Sequence, residues 1–183
     1  MITRMLGQHS SIRAFSNEDR FFERLRSLQK LSLDALTERV VLEAGSQLDS
    51  TERKELVQLL RAERENDEGL SRPVQVYARA KEILTEREGA HRWAQKATSY
   101  IFSVDSILDL FPQARFLFPV RNPLDIAASK KRRETWSSVG RMVWGWNKGV
   151  ARGLMLQKRY PDQFLVFRYE DICSSPNREI EKI

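Results

Sequence analysis

Apolar and polar positions follow a helical period over most of this chain, broken by a few short apolar runs. Phe21, Phe22, Leu25 and Leu28 recur at helical spacing. A second helix follows Ser32, with Leu33, Leu36 and Val40 expected on one face. Asp49 and Glu52 have the spacing of a capping box and open a third helix carrying Leu56, Leu59 and Leu60. Residues 63–69 read as a charged break. Ser71 and Pro73 start a further helix through Val76, Tyr77, Ala80, Ile83 and Leu84. Residues 92–95 read as a short strand. Residues 100–111 read as a helix with Ile101, Val104, Ile107 and Leu108 inward. The clearest strand is F-L-F-P-V at 116–120. Pro119 cannot donate to a sheet ladder and is expected where the strand leaves the sheet. Helices over 122–133 and 139–158 follow, the second with Val143, Trp146, Val150 and Leu154 on its inner face. F-L-V-F at 164–167 is another wholly apolar strand, of the kind covered on both faces.

Strands alternating with helices predict an α/β fold, a parallel sheet flanked by helices. The stretch from about 20 to 88 reads as a helical insertion between two sheet strands, within a single partial domain over 1–183. In such folds ligands bind at the carboxyl ends of the strands. That rule gathers Lys96, Arg121 and Arg168 near one rim.

Composition narrows the partners. The chain has 183 residues, 41% hydrophobic and 31% charged, values that suit a soluble globular domain with a real core. No apolar run approaches a membrane span, and no signal peptide is visible. The single cysteine, Cys173, excludes an intrachain disulfide, fits a reducing compartment and is expected to be a half-buried thiol after a strand. Two histidines and one cysteine argue against a zinc site. A net charge of +6 suits nucleic acid, a membrane surface, or a polyanionic donor and acceptor. The basic residues are widely spread, and the one dense cluster, K-K-R-R at 130–133, reads as a solvated helix face, so no nucleic-acid partner is expected.

The candidate chemistry centres on R-F-L-F-P-V-R-N-P-L-D-I-A-A-S at 115–129. A strand ends in Arg121, Asn122-Pro123 opens a helix, and Ser129 lies one helical repeat beyond Asn122. Free N–H groups and the positive end of the helix dipole suit an anion, and Arg121 adds a fork of donors shaped for phosphate. The competing reading pairs Arg121 with Asp125 and leaves Ser129 on the helix surface.

Upstream lies W-A-Q-K-A-T-S-Y at 93–100, and downstream Y-P-D-Q-F-L-V-F-R-Y-E-D-I at 160–172. In this order and at these distances, the three segments resemble the sulfotransferase family over nearly the whole chain. The resemblance implies a fold like that of the P-loop nucleotide hydrolases. It also implies transfer of a sulfonate from 3′-phosphoadenosine 5′-phosphosulfate to a hydroxyl, with no metal. It makes Arg121 and Ser129 a clamp on the donor's 3′-phosphate, and Lys96 a cation beside the transferring group. It makes Glu18, in A-F-S-N-E-D-R-F-F, the general base, provided its surroundings raise its pKa, with Asp19 as fallback and as the likelier helix cap. The branch acting on small phenols and steroids carries a histidine two residues beyond the lysine. Here that position is Thr98, which favours Glu18 and a carbohydrate, protein or lipid-linked acceptor. Competing readings make Lys96 a surface lysine and Thr98 an ordinary helix cap.

R-Y-E-D at 168–171 reads as architectural, with Glu170 and Asp171 tying down the rim. Trp136, Trp144 and Trp146 are candidates to line an acceptor groove, Trp136 the better one and Trp146 more suited to the core. The family's Gly/Ser/Thr-rich phosphosulfate loop is not found. The chain opens on what looks like the end of the first helix and stops inside another. It therefore reads as an internal fragment, weak or inactive alone, whose parent works in a bacterial cytoplasm or, if eukaryotic, the Golgi lumen. The alternative is a non-catalytic module that binds a nucleotide or polyanion. A small-molecule kinase is disfavoured, because no G-x-x-x-x-G-K loop is present.

Overall fold

A short helix, α1 (Ile2–Leu6), leads into a strand, β1 (Ile12–Glu18). The computed structural model describes residues 2–45, 47–66, 72–132 and 139–181. The opening is thus helical only at its start. β1 lacks a clean apolar alternation because one of its inward residues is Arg13, buried with Phe15. The Arg13 guanidinium donates to the Leu84 carbonyl and pairs with Glu88 at 2.9 Å.

Among the described residues four α-helices follow before the next strand: α2 (Phe21–Leu28), α3 (Leu33–Ala44), α4 (Ser50–Asn66) and α5 (Pro73–Glu86). The strand they lead to is β2 (Arg92–Lys96), parallel to β1, with Ile12 opposite Arg92 and Phe15 opposite Gln95. Parallel strands need a long crossover, and this helical stretch supplies it. Phe21, Leu36, Val40, Leu56, Tyr77 and Leu84 meet in one core. Asp49 and Glu52 form the predicted capping box: Asp49 N–H donates to Glu52 at 2.9 Å and Glu52 N–H to Asp49 at 2.9 Å.

Three details of this stretch differ from the sequence pattern. Leu33 and Leu59 are exposed. The charged break expected from residue 63 is helix as far as Asn66. Two of its charges are half-buried and reach neighbouring helices, Arg64 to Asp34 at 3.0 Å and Glu63 to Arg79 at 2.8 Å.

The chain divides into two compact units, Met1–Tyr100 and Ile101–Ile183. A turn of 3₁₀ helix at Ser99–Phe102 precedes α6 (Val104–Leu110), whose predicted inward residues Val104, Ile107 and Leu108 are buried, as is Ile101 ahead of it. Then come β3 (Phe116–Val120), α7 (Pro123–Arg132), α8 (Val139–Arg159), β4 (Phe164–Arg168), α9 (Tyr169–Ser174) and α10 (Pro176–Ile180). β3 and β4 are parallel, Phe116 opposite Phe164 and Val120 opposite Arg168. Among the described residues β4 is the sole partner of β3, and this edge position accommodates Pro119. The α/β fold with parallel pairing is therefore present, its strands lying in two two-stranded sheets among the described residues.

The inner face of α8 is the predicted one only in part: Trp146 and Val150 are half-buried. Val143 and Leu154 are exposed, while Gly153 and Leu156 are buried. Gly153 sits against the Phe118 ring, where an added Cβ would lie 2.7 Å from two ring atoms. Close approach selected a glycine there, and the apolar periodicity cannot register it. Cys173 is exposed on α9, not half-buried. No described helix is long and apolar enough to cross a membrane.

Candidate active site

In the first unit the site forms where β1 and β2 end. The ladder runs regularly to Phe15 opposite Gln95, then skips to Glu18 opposite Lys96. Ser16 and Asn17 form a bulge, a device that re-aims a side chain at the end of a strand. It sets Glu18 Oε2 3.9 Å from Lys96 Nζ. The two side chains are 36% and 53% exposed, open enough to meet a ligand.

Thr98 adds two bonds. Its hydroxyl donates to Glu18 Oε1, and its backbone N–H donates to the same oxygen at 3.3 Å. Thr98 therefore serves Glu18 and is not simply a cap for the turn that follows. Hydrogen bonding from its hydroxyl, aided by its N–H, Lys96 and Arg20, outweighs burial and holds Glu18 below the usual carboxylate range. The sequence reading made a raised value the condition for a base at this place. The site instead keeps this carboxylate ionised.

Asp19, next in the chain, faces the other way. It is buried, and its Oδ1 accepts the Phe21 N–H at 2.9 Å, the cap expected of it. β1 ends at Glu18, and as the chain leaves the strand one carboxylate stays open to solvent while the next is buried. Lys81 lies in that core too, with its Nζ 3.6 Å from Asp19 Oδ2. Sequence reasoning passed over Lys81, yet it falls four residues after Tyr77 on the apolar stripe of α5, a usable signal.

In the second unit Arg121 follows β3 directly. Its guanidinium lies over the Tyr169 ring, 5.0 Å from the centroid, and its Nε is buried without a hydrogen-bond partner among the described residues. The competing pairing with Asp125 is not formed. The Trp146 indole N–H donates to the Arg121 carbonyl at 2.9 Å, so this half-buried tryptophan fixes the backbone of the junction.

The helix end itself is partly taken. Glu170 Oε1 accepts the Asn122 N–H at 2.7 Å, Asn122 Oδ1 accepts the Leu124 N–H at 2.9 Å, and Pro123 has none to give. The chain's own groups therefore satisfy donors that the sequence reading offered to a ligand, and the cationic group left at the junction is the Arg121 side chain. Glu170 ties the rim as expected of R-Y-E-D; Asp171 contributes its carbonyl, accepting the Ser175 N–H at 2.8 Å. Ser129 is half-buried on α7. Trp144 is 65% exposed, with Lys148 Nζ 5.0 Å from its ring centroid. Trp136 and Arg133 lie outside the described residues.

Residues 1–183 match the family model described as the sulfotransferase family. Comparison with curated proteins and with solved structures gives no match.

Proposed function

Since the chain belongs to the sulfotransferase family, a family of transferases, we propose that it moves a sulfonate from 3′-phosphoadenosine 5′-phosphosulfate to a hydroxyl of a carbohydrate, protein or lipid-linked acceptor. The observation that carries this reading is the Glu18–Lys96–Thr98 cluster at the paired strand ends. An acceptor hydroxyl must lose a proton as it attacks. An ionised, exposed carboxylate supported by a lysine and a hydroxyl is suited to take it. Thr98, at the position where the other branch carries its histidine, is bonded to Glu18, so base function passes to the neighbouring carboxylate.

The residues at the β3–α7 junction fit the donor. A buried Nε on Arg121 with no hydrogen-bond partner among the described residues supports a guanidinium held against Tyr169 with bonding capacity to spare. In this reading Arg121 and Ser129 hold the 3′-phosphate. When bound, the donor supplies an electrophilic sulfur and a phosphate leaving group. Glu18 takes the acceptor proton, and the Lys96 ammonium offers positive charge to the sulfonate oxygens.

Titration calorimetry tests both halves. Adenosine 3′,5′-bisphosphate is expected to bind at least tenfold more tightly than adenosine 5′-phosphate. Arg121→Ala should remove most of that preference, a loss of about 10–100-fold for charge-assisted bonds. Glu18→Gln should keep the affinity while sulfonate transfer falls by about 10²–10⁴-fold. Equal affinity for the two nucleotides would sink the clamp. Preference without transfer in the unaltered protein would move the reading to a binding module.

A further inference from the structure

β1 reaches Glu18 through a bulge, so the ladder alone does not fix the carboxylate. What does fix it lies beneath. Asp19 N–H donates to the Lys96 carbonyl at 2.8 Å, joining the two strand ends. The Asp19 carboxylate accepts the Tyr77 hydroxyl at 2.6 Å on Oδ2 and the Tyr100 hydroxyl on Oδ1, besides the Phe21 N–H and the contact with Lys81. The side-chain amide of Gln95 meets the same Tyr77 hydroxyl. Gln95 precedes Lys96, and Asp19 follows Glu18. One buried phenol thus holds the neighbour of each site residue. Tyr77 stacks on Phe21 at 3.9 Å between centroids, and Lys81 Nζ lies 3.6 Å from the Phe15 ring centroid, so the phenol and the ammonium are both locked by packing.

We propose that Asp19, Tyr77, Tyr100 and Lys81 are positioning residues, a buried polar anchor that sets Glu18 against Lys96 and Thr98 across the bulge. The assignment rests on the reading of Glu18 as the base, and it explains why a small core carries a fully buried lysine, an aspartate and two phenols. An apolar cluster of the same volume would fill the space without directional bonds. Directional bonds are needed because an error of about 1 Å at a proton-transfer group is costly.

The test reads Glu18 itself. In protein carrying ¹³C-labelled glutamate side chains, the Glu18 carboxyl signal is assigned by its loss in Glu18→Gln and titrated in Asp19→Asn, Tyr77→Phe and the milder Tyr100→Phe. Each variant should move the Glu18 midpoint up toward the ordinary carboxylate range. Each should also speed exchange of the residue-19 amide about tenfold. Leu36→Ala, which hollows the same core elsewhere, should lower Tm and leave Glu18 unmoved. Where transfer is assayed, Tyr100→Phe should lower kcat about tenfold with the acceptor KM unchanged.

An unmoved Glu18 titration in folded Tyr77→Phe and Tyr100→Phe would overturn the anchor. So would an unchanged kcat in both while Glu18→Gln loses activity. If Glu18→Gln keeps full activity, the base assignment falls by itself, and the titration still reads whether the anchor holds Glu18.

Discussion

Glu18 and Asp19 are consecutive carboxylates in different surroundings, the first at the open end of β1 and the second buried just past it. Glu18 is held below the usual range chiefly by the Thr98 hydroxyl, so it is charged throughout the neutral region. If Glu18 is the base, as proposed, it fails only in acid: the rate falls as pH drops through its folded value, and any stability it contributes is lost in the same direction. Thr98→Val removes the largest cause and should carry the acid limb of the kcat/KM profile up toward the ordinary carboxylate range, with the neutral plateau little changed. An acid limb that stays in place would remove Thr98 from the account. Resemblance to the sulfotransferase family marked Glu18, Lys96, Arg121 and Ser129, and the strand–helix junction marked Arg121 by itself. It was silent on what each one touches. The Glu18–Thr98 bond joins residues 80 positions apart, and the stacking of Arg121 on Tyr169 depends on where β4 ends; no local period encodes either.

Among elements, α8 shows where pattern reading succeeds and where it stops. Its existence and length were legible in apolar recurrence over its 21 residues, as were α5, β3 and β4. Its packing face was legible only in part, because part of that face is set by a missing side chain. An alanine at Gly153 gains about 1 kcal/mol of helix propensity but meets Phe118, and overpacking of this kind costs about 1–3 kcal/mol. Gly153→Ala should therefore lower the urea midpoint, and Phe118→Leu in the same chain should recover part of the loss. Gly149→Ala, with nothing within 4 Å of the added carbon, is the matched control and should raise stability. β1 escaped notice for a related reason. Its inward arginine breaks the alternation, and burial is made tolerable by the Leu84 carbonyl and Glu88, which no local window contains.

For the whole molecule, the anchor beneath Glu18 makes stability a function of pH in a way that its acidic and basic totals do not suggest. Burial is the largest influence on Lys81 and lowers its pKa from 10.5 to about 8, with Asp19 opposing the fall. Below about pH 8 the side chain is charged in both folded and unfolded chains. Between about 8 and 10.5 the unfolded chain binds the extra proton, so stability rises with pH across that window. At about 1.4 kcal/mol per pH unit, the full rise is on the order of 3 kcal/mol. Tyr77 and Tyr100 oppose it at the upper end. Burial and Asp19 raise both phenols above their usual 10.0, so the unfolded chain ionises first and stability falls as pH climbs past that value. The profile should therefore climb above pH 8 and turn over near pH 10. Lys81→Met keeps the volume and removes the titration. The stability difference between the unaltered protein and this variant, taken from denaturant curves, should be flat below pH 8 and move in favour of the unaltered protein from pH 8 to 10. A difference that stays flat across the whole range would mean that Lys81 keeps its proton in the core, and that the ion pair with Asp19 outweighs burial.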